Sequence, residues 1–212
     1  MASFELLMNE AWGLLNEEKL EILKEKLAEI KPNSEKEYFD LEMLKGYYFW
    51  KLANFNRSAS HFKNLEKHAN NLKRNDLLGI AFHQQAFVLR EEKQYLKALT
   101  LIEKEKQLID DYFSGDFQKL AINSYEQGYL RLLMGNIKEA KEWLDLSLKY
   151  SLMTEDLTAI GCSYRALGEL ELRKENKLRA EKNLNLALSY FERENDLVGV
   201  AQIKKMLEDI SE

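Results

Sequence analysis

Residues 125–150 read YEQGYLRLLMGNIKEAKEWLDLSLKY, and three other segments of the chain repeat the pattern of this stretch. In each copy a small residue is followed, twelve positions later, by a second small residue. The first small residues are Gly46, Ala86, Gly128 and Gly168. The second are Ser58, Ala98, Ala140 and Ala180. A pattern that recurs about every 40 residues is typical of a repeat array, in which each repeat packs on its neighbours.

Each copy predicts two antiparallel helices joined by a tight turn, because paired small residues let the two helices approach closely. Asn54, Asn136 and Asn176 share one place in this turn. There an Asn side chain can accept a hydrogen bond from a free N–H at the start of the second helix. Gly135 suits the positive φ that often ends a helix. We expect leucine at position 128 to overpack the contact, and alanine to be tolerated.

Apolar spacing and polar breaks predict a chain made of helices. The predicted helices cover residues 4–15, 17–30, 35–52, 55–72, 77–92, 95–112, 117–134, 137–152, 157–174, 177–193 and 197–210. Asn16 and Asp76 are predicted to cap the second and fifth helices. Ser34 and Glu37 form a capping box before the third helix. Asp116, Asp156 and Asp196 follow Asp76 at intervals of forty residues.

The order Leu167-Gly168, Ala180, Leu184 and Ala187 resembles the tetratricopeptide repeat. The resemblance implies an all-α solenoid, a right-handed superhelix of stacked antiparallel helix pairs. Repeats of that family are usually about 34 residues long, so these correspond to its longer-helix variants. The chain departs from the pattern at Ser58, Ala86 and Glu105, and residues 1–31 match it poorly. We predict one domain over residues 1–212, with an irregular hairpin at 1–31, four repeats at 35–193 and a closing helix at 197–210.

Composition narrows the possible functions. The 212 residues carry a net charge of −5, which argues against a general nucleic-acid binder, and 45% of them are apolar. The single cysteine, Cys162, fits a reducing compartment. The first residues lack a basic signal-peptide region, and no apolar run is long enough to span a membrane. These features predict a cytoplasmic protein without a nucleic-acid or membrane partner.

Residues that could carry chemistry are few. His61 and His68 lie on one helix without a carboxylate between them in a metal-ligand pattern. Cys162 is interpreted as a small packing residue rather than a reactive thiol. No glycine-rich phosphate loop follows a strand, since no strand is predicted. We therefore predict no enzymatic activity, no catalytic residue, no cofactor and no metal ion.

By analogy with the ligand-contacting positions of the resembled family, four places around each first small residue face a concave groove. They lie three residues before it and one, four and five after it. The predicted groove residues are Met43, Tyr47, Trp50, Lys51, His83, Phe87, Arg90, Tyr125, Tyr129, Leu132, Arg165, Glu169 and Arg173. Aromatic residues and arginine dominate binding hot spots. The alternative is that the rings form the core between repeats, but arginine would be costly there.

Three functions follow as hypotheses. The first is a non-enzymatic module, an adaptor or scaffold, that holds a protein or peptide segment in the groove. The second rests on longer repeats and on the stretch Lys45-Gly46-Tyr47-Tyr48-Phe49, which resemble the repeat domain of bacterial response-regulator phosphatases and peptide-sensing quorum regulators. Only about 30 residues precede the array, so no effector domain of that family is expected here. The third is a structural homo-oligomer.

Overall fold

The computed structural model describes residues 3–211, and side chains through residue 210. Within this range the chain consists of helices and connecting turns, without strands. The helices are α1 (Phe4–Asn16), α2 (Leu20–Glu29), α3 (Glu35–Lys51), α4 (Phe55–Leu72), α5 (Asn75–Glu91), α6 (Tyr95–Tyr112), α7 (Phe117–Leu133), α8 (Ile137–Ser151), α9 (Leu157–Arg173), α10 (Lys177–Glu194) and α11 (Leu197–Ser211). The predicted all-α class and the order of helix pairs are confirmed.

Most predicted helix boundaries agree with the structure to within two residues, but two predicted caps are wrong. Asn16 belongs to α1, and the chain then reverses through Glu18, whose φ is 56°. α2 therefore begins only at Leu20 and has no side-chain cap. Asp76 lies in the first turn of α5 rather than before it, and its carboxylate pairs with the guanidinium of Arg74.

The other polar residues at helix starts behave largely as predicted. Asn54 and Asn176 accept hydrogen bonds from the backbone N–H groups of Arg57 and Arg179. The caps at the starts of α3, α7, α9 and α11 are Ser34, Asp116, Asp156 and Asp196. Asn136 occupies the cap position of α8 without a side-chain hydrogen bond. These bonds satisfy backbone donors that the first turn of a helix leaves free.

The chain forms two compact units, Met1–Leu108 (unit 1) and Ile109–Glu212 (unit 2). In unit 1, one buried cluster includes Leu23 and Leu44, and another includes Phe62 and Leu65. In unit 2, Leu184 and Phe191 pack with Ile203 of α11, so the last helix covers the apolar side of the pair before it. The assignment of residues 1–212 to a single domain stays a prediction.

The first small residues mark the closest contacts between paired helices. A Cβ atom added at Gly128 would lie 2.7 Å from Leu144 Cγ and 3.0 Å from the Leu144 backbone nitrogen. One added at Gly168 would lie 2.8 Å from Leu184 Cγ. In unit 1 the ring of Phe62 fills the corresponding space beside Gly46. Backbone atoms cannot yield as a flexible side chain can, so the structure reverses our expectation that alanine at position 128 is tolerated.

Glu105, which departs from the repeat pattern, has a structural explanation within unit 1. Its side chain is largely buried, and its Cγ lies 3.9 Å from the place a Cβ of Gly79 would occupy. Its carboxylate lies 3.2 Å from His83 Nδ1. The glutamate packs beside Gly79 at an ordinary van der Waals distance, and the imidazole offers it a polar partner.

Candidate protein-binding faces

Aromatic rings from three helices gather on one side of unit 1. The Tyr47 ring centroid lies 5.8 Å from that of Trp12, 6.4 Å from Trp50 and 6.1 Å from Phe87. The Trp50 and Phe87 centroids are 5.1 Å apart. All four rings are partly exposed. We call this surface, formed by Trp12, Tyr47, Trp50 and Phe87 with the cations Lys51 and Arg90, the ring face.

The ring face borders two clefts. One has a volume of about 510 Å³ and is lined by Trp12, Leu15, Asn16, Tyr47, Trp50 and Lys51. The other has a volume of about 420 Å³, and Trp12 and Met43 are among its lining residues. Trp12 therefore lines both clefts. Each cleft is large enough to receive an apolar side chain from another molecule.

Two cations lie at the edges of the ring face. Lys51 Nζ is 5.6 Å from the Trp50 ring and 2.6 Å from Glu18 Oε1. The Arg90 guanidinium carbon is 5.5 Å from the Phe87 ring, and its Nε is 3.9 Å from Glu91 Oε1. Burial raises the pKa of the Tyr47 hydroxyl. The face therefore carries a neutral phenol and two cations beside apolar rings, and each cation lies near a carboxylate of its own chain.

The ring face combines one ring that belongs partly to the core with another that is available for binding. Tyr47 is partly buried against both core clusters of unit 1, and its ring also contacts the buried Phe62 at 5.4 Å. Trp50 belongs to neither cluster and borders the cleft. Tyr47 therefore serves as support, while Trp50 is the ring more available to another molecule.

Two predicted groove residues make contacts that the repeat register did not predict. Leu132 is completely buried, in a cluster with Ala166 and Leu170, so it is a core residue and cannot line a groove. His83 pairs with Glu105 of α6, the second helix of its own pair. α9 therefore removes Leu132 from any groove, whereas His83 stays partly exposed beside Glu105 and its groove position remains a prediction.

Unit 2 carries a polar network at the positions of the ring face. The Tyr125 and Tyr129 rings stack at 5.5 Å. Arg165 Nη2 donates to the Tyr125 hydroxyl at 2.6 Å, and its Nη1 donates to Gln202 Oε1 at 3.1 Å. Its Nε lies 3.7 Å from Glu169 Oε1. The guanidinium of Arg165 is therefore engaged by side chains of its own unit.

Burial shapes the electrostatics of this network. The side chains of Arg165 and Glu169 are only 22% and 24% exposed. Burial raises the pKa of Glu169, although the charges of Arg165 and Arg173 and a hydrogen bond from Tyr129 oppose it. Burial also raises the pKa of Tyr125. Arg173 itself is exposed, so it is the cation of this face most open to solvent.

Trp12 and Gln202 take part in these faces but were absent from the sequence prediction. Both belong to helices outside the four repeats, α1 and α11. The register was defined by pairs of small residues twelve positions apart, a pattern assigned only to the four repeats, so it gave α1 and α11 no inward position. A rule that extended the groove to the first and last helices would have included them.

Two absences concern the part of the chain that the structure describes. No helix there is long and apolar enough to cross a membrane. No group of three or more His, Cys, Asp or Glu side chains there is placed to hold a metal ion.

Comparison with known proteins identifies the fold. No protein-family model and no curated protein sequence matches the chain. Among solved structures, aspartyl phosphate phosphatase F from Bacillus subtilis aligns with a TM-score of 0.69 and 13% identity, over 99% of this chain and 60% of that one. The apo form of RapI aligns at 0.60 and 12% identity, over 97% and 72%. PilF from Pseudomonas aeruginosa aligns at 0.60 and 15% identity, over 98% and 91%.

The fold is that of a helical repeat protein. The predicted resemblance to tetratricopeptide-like repeats and to the repeat domain of the phosphatases is confirmed at the level of the fold. The chain spans 60% of the length of the phosphatase with which it aligns. At such low sequence identities, shared function does not follow from shared fold.

Proposed function

We propose that the chain is a non-enzymatic module that binds a protein or peptide segment on the ring face of unit 1. The observation that carries this proposal is the partly exposed Trp50, which contacts Phe87 and, together with Lys51, lines a cleft of about 510 Å³. Tryptophan, tyrosine and arginine dominate the binding energy of protein interfaces. Likeness to helical repeat structures supports the same class of function.

The chemistry of the face indicates how a segment would be held. An apolar side chain entering the cleft would lose its water against Trp12 and Trp50. A carboxylate of the same segment would lie near Lys51 or Arg90, since hydrogen bonds between ionised groups are stronger than neutral ones. Lys51 would have to release Glu18, whereas in unit 2 Arg165 would have to release Tyr125 and Gln202 as well as Glu169, so we assign that face a secondary part.

Selection of a displayed random peptide library on the intact chain tests the proposal. Titration calorimetry of each selected peptide then compares Trp50→Ala and Arg90→Ala with the wild type. We expect each change to weaken binding by about 1–3 kcal/mol, the range of a hot-spot residue. Leu178→Ala on α10 is the control, since that side chain is 79% exposed and distant in sequence from the face. Selected peptides that bind both ring-face variants with wild-type affinity would exclude this face.

A second candidate is a bacterial peptide-sensing regulator. Its support is the alignment of 99% of this chain with aspartyl phosphate phosphatase F. The lifetime of the aspartyl phosphate on a response regulator, phosphorylated with acetyl phosphate, would be measured with and without the chain. A shortened lifetime would favour this candidate and would also contradict the non-enzymatic assignment.

A third candidate, a structural homo-oligomer, is separated by light scattering at several protein concentrations. A constant monomer mass would exclude it. Our proposal also places the chain in the cytoplasm, with no nucleic-acid, membrane or cofactor requirement. The net charge of −5 argues against a nucleic-acid partner.

A further inference from the structure

α3 has a second exposed side, about half a helical turn away from Tyr47 and Trp50. On that side a cleft of about 330 Å³ lies between α2, α3 and α4. We call it the rear cleft. Its lining residues are Lys24, Leu27, Ala28, Lys45, Tyr48, Phe49 and His61. None of these residues belongs to the ring face, so the rear cleft is a separate surface of unit 1.

The wall of the rear cleft is aromatic. The Phe49 ring stacks on the imidazole of His61 at 5.2 Å, with the planes 1° apart. It meets the Tyr48 ring edge-on at 5.1 Å. The guanidinium of Arg57 lies over Phe49, 5.2 Å from its centroid. Phe49 thus contacts both a cation and an imidazole, and part of the ring stays exposed.

Positive charge exceeds negative charge around this wall. Glu42 is already engaged, because its Oε2 accepts from Asn64 Nδ2 at 2.7 Å and lies 2.9 Å from His61 Nδ1. Its Oε1 is 3.7 Å from Lys45 Nζ. Lys24 and Arg57 are exposed and make no ion pair within residues 3–210. Glu21 also acts here, since its charge contributes to raising the pKa of Tyr48, after burial.

The equivalent positions in unit 2 form a closed arrangement. They are Gln127, Arg131, Glu139 and Trp143, which correspond to Lys45, Phe49, Arg57 and His61. The Arg131 guanidinium lies 5.4 Å from the Trp143 ring. Its Nε is 3.1 Å from Glu139 Oε2, and its Nη1 donates to the Gln127 carbonyl at 3.0 Å. In unit 2, Glu139 therefore neutralises the charge of Arg131. Unit 1 has Arg57 at the position equivalent to Glu139.

We propose that the rear cleft binds an acidic segment of a partner protein. A large apolar side chain of that segment packs on Phe49 and Leu27, and flanking carboxylates pair with Lys24 and Arg57. The charge of the cleft selects this occupant, because unpaired cations beside an exposed ring complement an acidic segment with an apolar anchor. A cluster of cations in a chain of net charge −5 also localises the attraction to this surface.

The test uses the intact chain and a fluorescein-labelled peptide, acetyl-Glu-Asp-Phe-Glu-Asp-Leu-amide, in a fluorescence anisotropy titration at about 0.05 M salt, where charge attraction is weakly screened. We expect saturable binding that weakens at least tenfold at about 0.5 M salt. Arg57→Glu places the glutamate of unit 2 in the rear cleft and should weaken binding at least tenfold. Lys24→Glu should act in the same direction. Both side chains are exposed, so thermal unfolding should be unchanged.

Three controls distinguish binding in the rear cleft from binding elsewhere on the chain and from charge attraction alone. Arg131→Ala, at the Phe49-equivalent position in unit 2, and Leu178→Ala, at an exposed side chain on α10, should leave the affinity of the peptide unchanged. Replacing the phenylalanine of the peptide by alanine should weaken binding, since charge alone does not need the ring. The proposal is overturned if the peptide does not saturate, if Arg57→Glu and Lys24→Glu bind as the wild type does, or if Trp50→Ala abolishes binding. Tighter binding of a single-stranded oligonucleotide than of the peptide would also overturn it.

Discussion

Units 1 and 2 place the same repeat register in two different electrostatic settings. On the inward positions, unit 1 presents partly exposed rings with Lys51 and Arg90 at their edges. Unit 2 presents Arg165 held by Tyr125, Glu169 and Gln202 of its own unit. On the rear positions, Arg57 makes no ion pair with described residues, whereas Arg131 pairs with Glu139.

The difference shows that backbone and binding chemistry are specified separately in this fold. Buried apolar side chains and close glycine contacts hold the paired helices in both units. Polar residues at equivalent positions then decide whether a cation faces solvent or is neutralised internally. Unit 1 has partly exposed tryptophan rings on one side of α3, and on the other side Lys24 and Arg57, which make no ion pair with described residues. Both proposed binding surfaces therefore lie in unit 1.

The largest expected effect tests the scaffold that the two units share. Gly46→Ala and Gly128→Ala should each lower the free energy of unfolding by about 1–3 kcal/mol, because the new methyl group overpacks a close helix contact. Gly79→Ala is the control, since its nearest new contact is an ordinary 3.9 Å. Gly79→Ala should raise the free energy of unfolding by up to about 1 kcal/mol, because alanine has a higher helix propensity than glycine. Urea unfolding measures all three, and a gain of stability in Gly128→Ala would mean that α7 and α8 are less closely packed.

A smaller effect is expected in the turns inside the helix pairs. Ala53 in unit 1 and Gly135 in unit 2 occupy equivalent turn positions, with φ of 53° and 84°. Gly135→Ala should cost about 1 kcal/mol, because a Cβ disfavours this left-handed conformation. Ala53→Gly should gain less than about 1 kcal/mol, since the freer unfolded chain offsets part of the relief. Melting temperatures test this prediction, because Gly135→Ala should lower the melting temperature and Ala53→Gly should raise it. A shift in the same direction for both variants would contradict the equivalence of the two turns.

The finest test concerns opposite pH dependence in the two units. Burial alone would raise the pKa of Glu42, but hydrogen bonds from His61 and Asn64 and the charge of Lys45 lower it overall. Its contribution to stability is therefore present above the ordinary value of 4.5 and is lost as the pH falls through the folded value. Burial raises the pKa of Glu169, so its contribution is present below the ordinary value and is lost as the pH rises through the folded value.

Urea unfolding of Glu42→Gln and Glu169→Gln from about pH 3 to about pH 7 measures both contributions. Relative to the wild type, Glu42→Gln should lose least stability in acid, where the native carboxyl is itself protonated. Glu169→Gln should compare most favourably at neutral pH, where the wild type must keep a buried charge. If the difference in stability from the wild type changed with pH in the same direction for both variants, the contrast between the two units would be contradicted.

Local patterns allowed most of the fold to be predicted. α4 and α6 have the predicted bounds, and the small residues at 46, 128 and 168 lie at helix contacts. Prediction failed where a neighbour remote in the sequence intervenes. Leu132 is covered by Ala166 and Leu170 of α9, which lie more than thirty residues further along the chain. A repeat register treats equivalent positions alike, so it does not predict which individual residues each position contacts.

The sequence alone determined the helices, their pairing and the positions that face a partner helix, because apolar spacing, turn residues and small side chains act over a few helical turns. Only the tertiary structure decided which charges are available for binding. Arg165 meets Tyr125 and Gln202 across forty and thirty-seven residues, whereas Arg57 meets the Phe49 ring and no described carboxylate. The availability of a charge depends on the carboxylates, hydroxyls and amides that folding brings within hydrogen-bond distance, and a residue's own position in the repeat does not specify them.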